Sequence, residues 1–183
     1  MMTTIDDLFS LLALAGARQY GGEQVSQLAH ALQTATLAVE AGEPAPVIVA
    51  SLFHDIGHLL GEGDRGLASQ GIDARHEDSG AEALRPLFGD AVAEPVRLHV
   101  PAKRWLCFAE GGYWDSLSRG SQVSLAVQGG PFDAAQAAAF MAQPHAEAAV
   151  RVRRYDDLAK VRGRGTPGLA EFRSWTTMLR EDA

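Results

Sequence analysis

Two side chains that water normally solvates stand side by side in an apolar stretch, His54 and Asp55 of His54-Asp55-Ile56-Gly57-His58. Burying such a pair is costly unless something satisfies it. A divalent metal does so, because imidazole nitrogen and carboxylate oxygen both coordinate it. Neighbours on a helix point about 100° apart, so the pair can reach two sides of one metal centre, and Asp55 can bridge two ions. His58, one turn after His54, falls on the same helical face, as a ligand or as a proton donor behind the ligands. A lone His-Asp pair also arises by accident on helix surfaces, so the rest of the chain decides. His30 sits on the apolar face of Gln27-Leu28-Ala29-His30-Ala31-Leu32, His76 opens His76-Glu77-Asp78-Ser79-Gly80-Ala81, and His99 closes Leu98-His99-Val100-Pro101. Asp156 follows late, after Arg153-Arg154-Tyr155. Of the 6 histidines only His145, after Pro144, reads as a solvated surface residue. Several histidines on apolar faces, around an embedded His-Asp, are hard to explain as packing.

The elements that must position them read as helices throughout. Apolar residues recur at three- and four-residue spacing, the helical period. This predicts helices over 5–17, 24–41, 46–60, 76–88, 91–100, 116–127, 134–141 and 146–160. A last helix follows Thr166-Pro167 and runs to 179, with proline at its first position. The most apolar, 46–60, is expected to be central, and the glycine-rich 61–75 is expected to be a surface loop. No alternating strand pattern, repeat or low-complexity segment is evident.

A chain of 183 residues has room for one compact domain with a real apolar core, and too little for two comfortable ones. The expectation is therefore an all-α fold and a single domain over 1–183. Its metal-site core spans about 20–160 and its C-terminal helix about 167–180. A net charge of −7 argues against a partner with a phosphate backbone, so no nucleic acid is expected. No window approaches the apolar length of a membrane span. The start carries Asp6 and Asp7 and lacks the basic region of a signal peptide. The single cysteine, Cys107, can form no internal disulfide, which fits a reducing cytosol, and the expected location is cytoplasmic.

The order His30, His54-Asp55, His76, His99, Asp156 resembles the HD superfamily in its six-ligand, two-metal form. Flanking segments extend the likeness: Tyr20-Gly21-Gly22-Glu23, Gln27-Leu28-x-His30-x-Leu32, His99-Val100-x-Ala102-Lys103-Arg104 and Gln128-Gly129-Gly130-Pro131. They look like the mixed-valent di-iron oxygenases of the PhnZ and TmpB type, relatives of myo-inositol oxygenase, which break the carbon–phosphorus bond of 1-hydroxyphosphonates. The similarity runs in consistent order from about Tyr20 to Lys160. It implies an HD-domain helical bundle, an Fe(II)/Fe(III) pair, O2 as co-substrate and a small hydroxyphosphonate as partner. The implied activity is cleavage of a 1-hydroxy-2-(trimethylammonio or amino)ethylphosphonate to glycine betaine or glycine plus inorganic phosphate. If Asp55 bridges, His30, His54 and Asp156 nearly fill one iron. His76, His99 and the bridge leave the other open, a two-histidine, one-carboxylate set suited to non-haem iron and oxygen. A 1-hydroxyphosphonate can chelate there through its hydroxyl and one phosphonate oxygen.

The remaining phosphonate oxygens need cations and donors. Lys103 lies one turn after His99 if the helix persists past Pro101, and Arg153 shares a helical face with Asp156. Otherwise both are solvated surface charges. The resemblance adds His58, Ser121 and Ser124 as phosphonate contacts. It also implies that Tyr20 and Glu23 form a mobile pair, the tyrosine occupying an iron position until substrate arrives; Gly21 and Gly22 permit such movement. Tyr20, Trp105, Tyr113 and Trp114 could give aromatic faces to a quaternary ammonium, and the trimethylated substrate is expected to be accepted at least as well as the primary amine. The rival reading is an HD phosphohydrolase of a nucleotide or small phosphoester, whose metals activate water. It shares the ligand set but has no need of the Tyr-x-x-Glu segment or Lys103. A metal-bound ligand sensor without turnover comes third.

Overall fold

The computed structural model describes residues 4–17, 25–60 and 70–181, which are predominantly helical and contain no strand. Helix α1, Ile5–Ala15, starts at a reciprocal cap: the Thr4 hydroxyl accepts from the Asp7 amide while the Asp7 carboxylate accepts from the Thr4 amide. The Ser26 hydroxyl caps α2, Gln27–Glu40. Helix α3, Ala45–Phe53, has proline in its first turn and is apolar on every side. Val47 through Phe53 are all buried, which makes α3 the central helix, as its composition predicts. Phe53 meets Phe9 edge-to-face at 5.5 Å and stacks on Phe88.

Around α3 lie α4, His76–Phe88, and α5, Asp90–Ala109. Then come α6, Tyr113–Ser116, α7, Arg119–Val127, α8, Ala134–Met141, and α9, Ala146–Leu158. A 3-10 turn at Leu169–Phe172 leads into α10, Arg173–Glu181. Helix α3 packs on α2, α5, α9 and α10, while α5 packs on α4, α8 and α9. One apolar cluster joins α1 through α5 with α9 and Phe172. A smaller one, Leu98, Ala102, Phe140, Ala146 and Ala149, sits between α5, α8 and α9. No helix among the described residues is long and apolar enough to cross a membrane.

Four elements depart from the sequence reading. The last helix starts at Arg173, not at Pro167: 164–168 is not helical, and the Gly168 amide, donating to Glu171 Oε1, opens the 3-10 turn that comes between. The other three departures each have a physical reason as well. The helix expected over 46–60 stops at Phe53: His54 and Asp55 form a turn, followed by a 3-10 turn at Ile56–Leu59. His58 is therefore not on the same helical face as His54. The turn frees both polar side chains from the α3 barrel. Conversely, α5 does not end near Val100 but runs unbroken through Pro95 and Pro101. Each proline removes a helix hydrogen bond, and the burial of Val92 and Val96 in the larger cluster, of Leu98 and Ala102 in the smaller one, and of Leu106 outweighs that loss. Finally, the stretch 116–127 splits at Leu117, whose extended backbone separates α6 from α7, and the Ser118 hydroxyl caps α7.

Candidate metal centre and anion pocket

Five elements deliver the six expected ligands to one place. His30 comes from α2, His54 and Asp55 from the turn ending α3, and His76 from the first position of α4. His99 comes from mid-α5 and Asp156 from α9. None is more than 8% exposed. Asp55 lies at the centre with its two oxygens facing different groups. Oδ2 is 3.3 Å from His54 Nε2 and 3.6 Å from His30 Nε2. Oδ1 is 3.3 Å from His76 Nε2 and 3.5 Å from His99 Nε2. Asp156 Oδ1 joins the first group, 3.2 Å from His30 Nε2. His30-His54-Asp55 and Asp55-His76-His99 thus form two triads that share one carboxylate.

The hydrogen bonds behind these rings assign their tautomers. Nδ1 of His30 donates to the Ala159 carbonyl at 2.9 Å, that of His54 to Ser51 at 2.9 Å, and that of His99 to Val96 at 2.6 Å. Each neutral ring therefore turns an Nε2 lone pair inward. Those nitrogens converge: His30 and His54 are 3.1 Å apart, His76 and His99 3.2 Å apart. Two ligands at right angles on an ion about 2.1 Å away would be about 3 Å apart. Without a cation such an arrangement sets lone pair against lone pair. Asp55 Oδ2 and Asp156 Oδ1 are likewise buried and accept no hydrogen bond. The donor set fits two divalent metals.

Electrostatics agree. Burial, with His58 beside it, holds the His76 imidazole down at about 3, and burial lowers His99 as well, so both stay neutral. Burial also opposes charge on His54, yet Asp55 more than offsets it and raises that imidazole. The pocket thus favours positive charge between the carboxylate and its neighbours. Burial raises Asp156 too, but the Arg153 guanidinium and Lys160 ammonium prevail and hold it well below the usual carboxylate range.

Gly57 explains the spacing inside His54-Asp55-Ile56-Gly57-His58. A Cβ there would come within 2.0 Å of the His76 carbonyl oxygen. Only a glycine lets the start of α4 pass this close, which is what carries His76 to Asp55.

Beside the metal centre lies a cationic pocket. Lys103, which the continuous α5 does place one turn after His99, is buried and donates to Ser124 Oγ at 2.8 Å. Burial, and next the Arg153 charge, press its ammonium down to about 7. Arg153, also buried, reaches Asp156 Oδ2 at 2.7 Å and Ser121 Oγ at 3.3 Å. The structure thus brings Lys103, Arg153, Ser121 and Ser124 together against Asp156. His58 stacks on His76 with ring centres 3.8 Å apart, and its Nε2 is 3.8 Å from Asp55 Oδ1. It lies beside the second triad by way of the 3-10 turn. His145 is exposed, as expected.

Of the aromatic residues considered for a quaternary ammonium, Trp105 packs against the smaller core cluster and Phe140. Trp114 is 39% exposed on α6. Tyr113 lies at the pocket with its hydroxyl bonded to Asp157. Tyr20 and Glu23 lie outside the described residues. Four residues stand at the site in roles that the sequence reading did not give them, among them Tyr113, which was considered there only as an aromatic face. Lys160 donates to Ser121 Oγ at 3.1 Å and stands 3.4 Å from Asp156 Oδ1. Asp157 pairs with Arg153, and Tyr113 bonds Asp157. Lys160 is four residues after Asp156 and Asp157 four after Arg153, a helical spacing that could have found them. The fourth, Glu77, is adjacent to His76 with Oε2 3.5 Å from His76 Nδ1. Burial lifts its carboxyl to about 7, and no sequence signal marked it.

Comparison with known proteins is consistent with this geometry. Residues 28–128 match the HD domain family. The chain is 45% identical to a hydroxymethylphosphonate dioxygenase of Gimesia maris, over 92% of this chain and 84% of that one. It is 39% identical to the [1-hydroxy-2-(trimethylamino)ethyl]phosphonate dioxygenase (glycine-betaine-forming) of Leisingera caerulea, over 86% of this chain and 80% of the other. A third relative, the uncharacterized protein L432 of Acanthamoeba polyphaga mimivirus, is 29% identical over 95% of this chain.

Proposed function

The chain belongs to the HD-domain family, among relatives that are hydroxyphosphonate dioxygenases, and on that footing we propose that it cleaves the carbon–phosphorus bond of a small 1-hydroxyphosphonate with O2. The products are a carboxylate and inorganic phosphate, one phosphate for each O2 consumed. We read the whole of 1–183 as one HD domain, with the site in its 20–160 core.

One observation carries this reading: the two oxygens of Asp55 face two unlike triads. His30, His54 and Asp156 gather on one side, while the other side has His76 and His99 with no second carboxylate among the described residues. The first set is suited to hold an ion nearly filled by protein, the second an ion with positions left for ligands. An Fe(II)/Fe(III) pair held by these six residues would activate O2, the oxidant that takes the electrons from the carbon bearing the hydroxyl, and would offer open coordination positions.

The chain's own groups hold the substrate by the end that will leave. Lys103 and Arg153 bring positive charge to the phosphonate oxygens, and the Ser121 and Ser124 hydroxyls complete the anion's hydrogen bonds. His58, beside His76, adds a further contact. These cations also oppose the negative charge that phosphate carries as the bond to carbon breaks. Tyr20 and Glu23 are assigned the role of a lid that keeps the open side covered until substrate arrives. A phosphohydrolase would use the same ligands, but the named relatives favour the oxygenase.

The two relatives differ in the arm on the hydroxylated carbon: one substrate has none, the other a trimethylammonium. We retain the trimethylated compound as accepted at least as well as the primary amine, and add hydroxymethylphosphonate to the set. The test is metal analysis and electron paramagnetic resonance after aerobic purification. Two irons per chain with a mixed-valent signal that changes on adding hydroxyphosphonate support the proposal. A protein holding zinc or manganese, and giving no such signal after reconstitution with iron, would overturn it.

A further inference from the structure

The connection between α5 and α7 is tied to α9 at the edge of the anion pocket. Its first residue, Glu110, pairs with Arg154 on the protein surface. Gly112, at φ +84°, then turns the chain into α6. Tyr113, the first residue of α6, points its hydroxyl at α9 and donates to Asp157 Oδ2. Arg153 Nε donates to the same hydroxyl and to the same carboxylate oxygen, each at 3.3 Å. Arg153 Nη2 donates to Asp157 Oδ1. Nε and Nη2 therefore engage the two Asp157 oxygens side-on, the planar two-bond arrangement that a guanidinium makes and an ammonium cannot.

The consequence lies at the other end of the fork. With its Nε–Nη2 edge fixed, Nη1 reaches Asp156 Oδ2 at 2.7 Å, while Nη2 also reaches Ser121 in the pocket. Asp156 is then held by one oxygen while the other faces His30. The structure assigns Tyr113 and Asp157 to positioning Arg153: Asp157 fixes the plane of the guanidinium, and the Tyr113 hydroxyl keeps the Asp157 carboxylate from turning. A staple for the loop alone would need none of this, because Glu110 and the bond from Gln122 Nε2 to the Trp114 carbonyl already tie it down. The Tyr113 contacts converge instead on Arg153, which, like Lys160, touches both a metal-facing carboxylate and the anion pocket. This inference rests on the proposal that the pocket takes a phosphonate.

The experiment compares Tyr113→Phe, Asp157→Asn and Arg153→Lys, and the double variant Tyr113→Phe/Arg153→Lys, in iron-loaded protein. Two constants are read: KM for hydroxymethylphosphonate, and the inhibition or binding constant of inorganic phosphate. Losing one hydrogen bond of this kind should weaken both constants by the same factor, about three- to tenfold, in Tyr113→Phe. kcat should move less than twofold, metal content should stay at the parental value, and Tm should fall by no more than a few degrees. In the Arg153→Lys background the same change should add nothing, because no fork remains to be positioned. Unchanged constants in Tyr113→Phe overturn the inference, as does an equal effect with and without Arg153. If Asp157→Asn fails to fold, Tyr113→Phe and the double variant still decide. Parental protein that binds phosphate but turns over no hydroxyphosphonate counts against the proposed reaction, while the phosphate constants still judge Tyr113 and Asp157.

Discussion

Replacing Lys103 with methionine should make the protein more stable and a worse enzyme, and the structure fixes the size of both effects. The Lys103 ammonium is 2% exposed and donates to Ser124 Oγ at 2.8 Å. Burial, then Arg153, lower it from 10.5 to about 7. The unfolded chain therefore binds the extra proton between those two values. Stability rises with pH across that window, and the burden of burying the charge is greatest below about pH 7. Near pH 7.5 this burden is on the order of 4 kcal/mol at 1.36 kcal/mol per pH unit. Losing the bond to Ser124 gives back about 1.5–3 kcal/mol. The net gain for Lys103→Met is about 1–2 kcal/mol, or roughly 2–8 °C in Tm for a chain of this length. Without the cation, phosphonate binding loses a charge-assisted contact of about 1.5–3 kcal/mol, so KM should rise roughly 10- to 150-fold. Calorimetry at pH 7.5, KM for hydroxymethylphosphonate and iron content are the assay, with iron content unchanged. A variant that melts below the parent and keeps its KM would refute the reasoning.

The same group predicts that KM for the phosphonate climbs as pH rises above about 7 and Lys103 loses its proton; Lys103→Arg should flatten that rise in a pH series. Gly57→Ala forces a methyl group to within 2.0 Å of the His76 carbonyl. It should destabilise the fold by about 1–3 kcal/mol and displace His76, seen as a lower Tm with loss of the second metal. Stripping metal with a chelator should lower Tm, since a ligand at a hundred times its Kd contributes about 2.7 kcal/mol; re-adding Fe(II) should restore it. A chain that melts identically with and without metal would show that the six ligands do not hold it in the folded state.

The His54-Asp55 pair and the scattered His30, His76, His99 and Asp156 were legible in the sequence because polar side chains on apolar helical faces demand a reason. The central place of α3 was legible from its unbroken apolar run. What the sequence hid were features set by tertiary contact. Pro101 argued for ending α5, yet packing on α4 and α9 carries the helix on and brings Lys103 to the pocket. An apolar run across 46–60 reads as one helix. The turn at His54-Asp55 arises because those side chains must leave the α3 surface to reach His30 and His76. Nothing in the sequence sets Asp157 and Lys160 apart from other charges, and only the pocket shows that their helical spacing aims them at Arg153 and Ser121.

Oxidation at carbon and hydrolysis at phosphorus are separated by one measurement. Iron-loaded protein is given hydroxymethylphosphonate in air-saturated buffer, and O2 uptake and phosphate release are followed together. Oxidation at carbon consumes one O2 per phosphate formed, with formate as the other product and no phosphate under argon. Phosphate released from phosphoesters with Mn(II) or Co(II), at equal rates with and without O2, would contradict it.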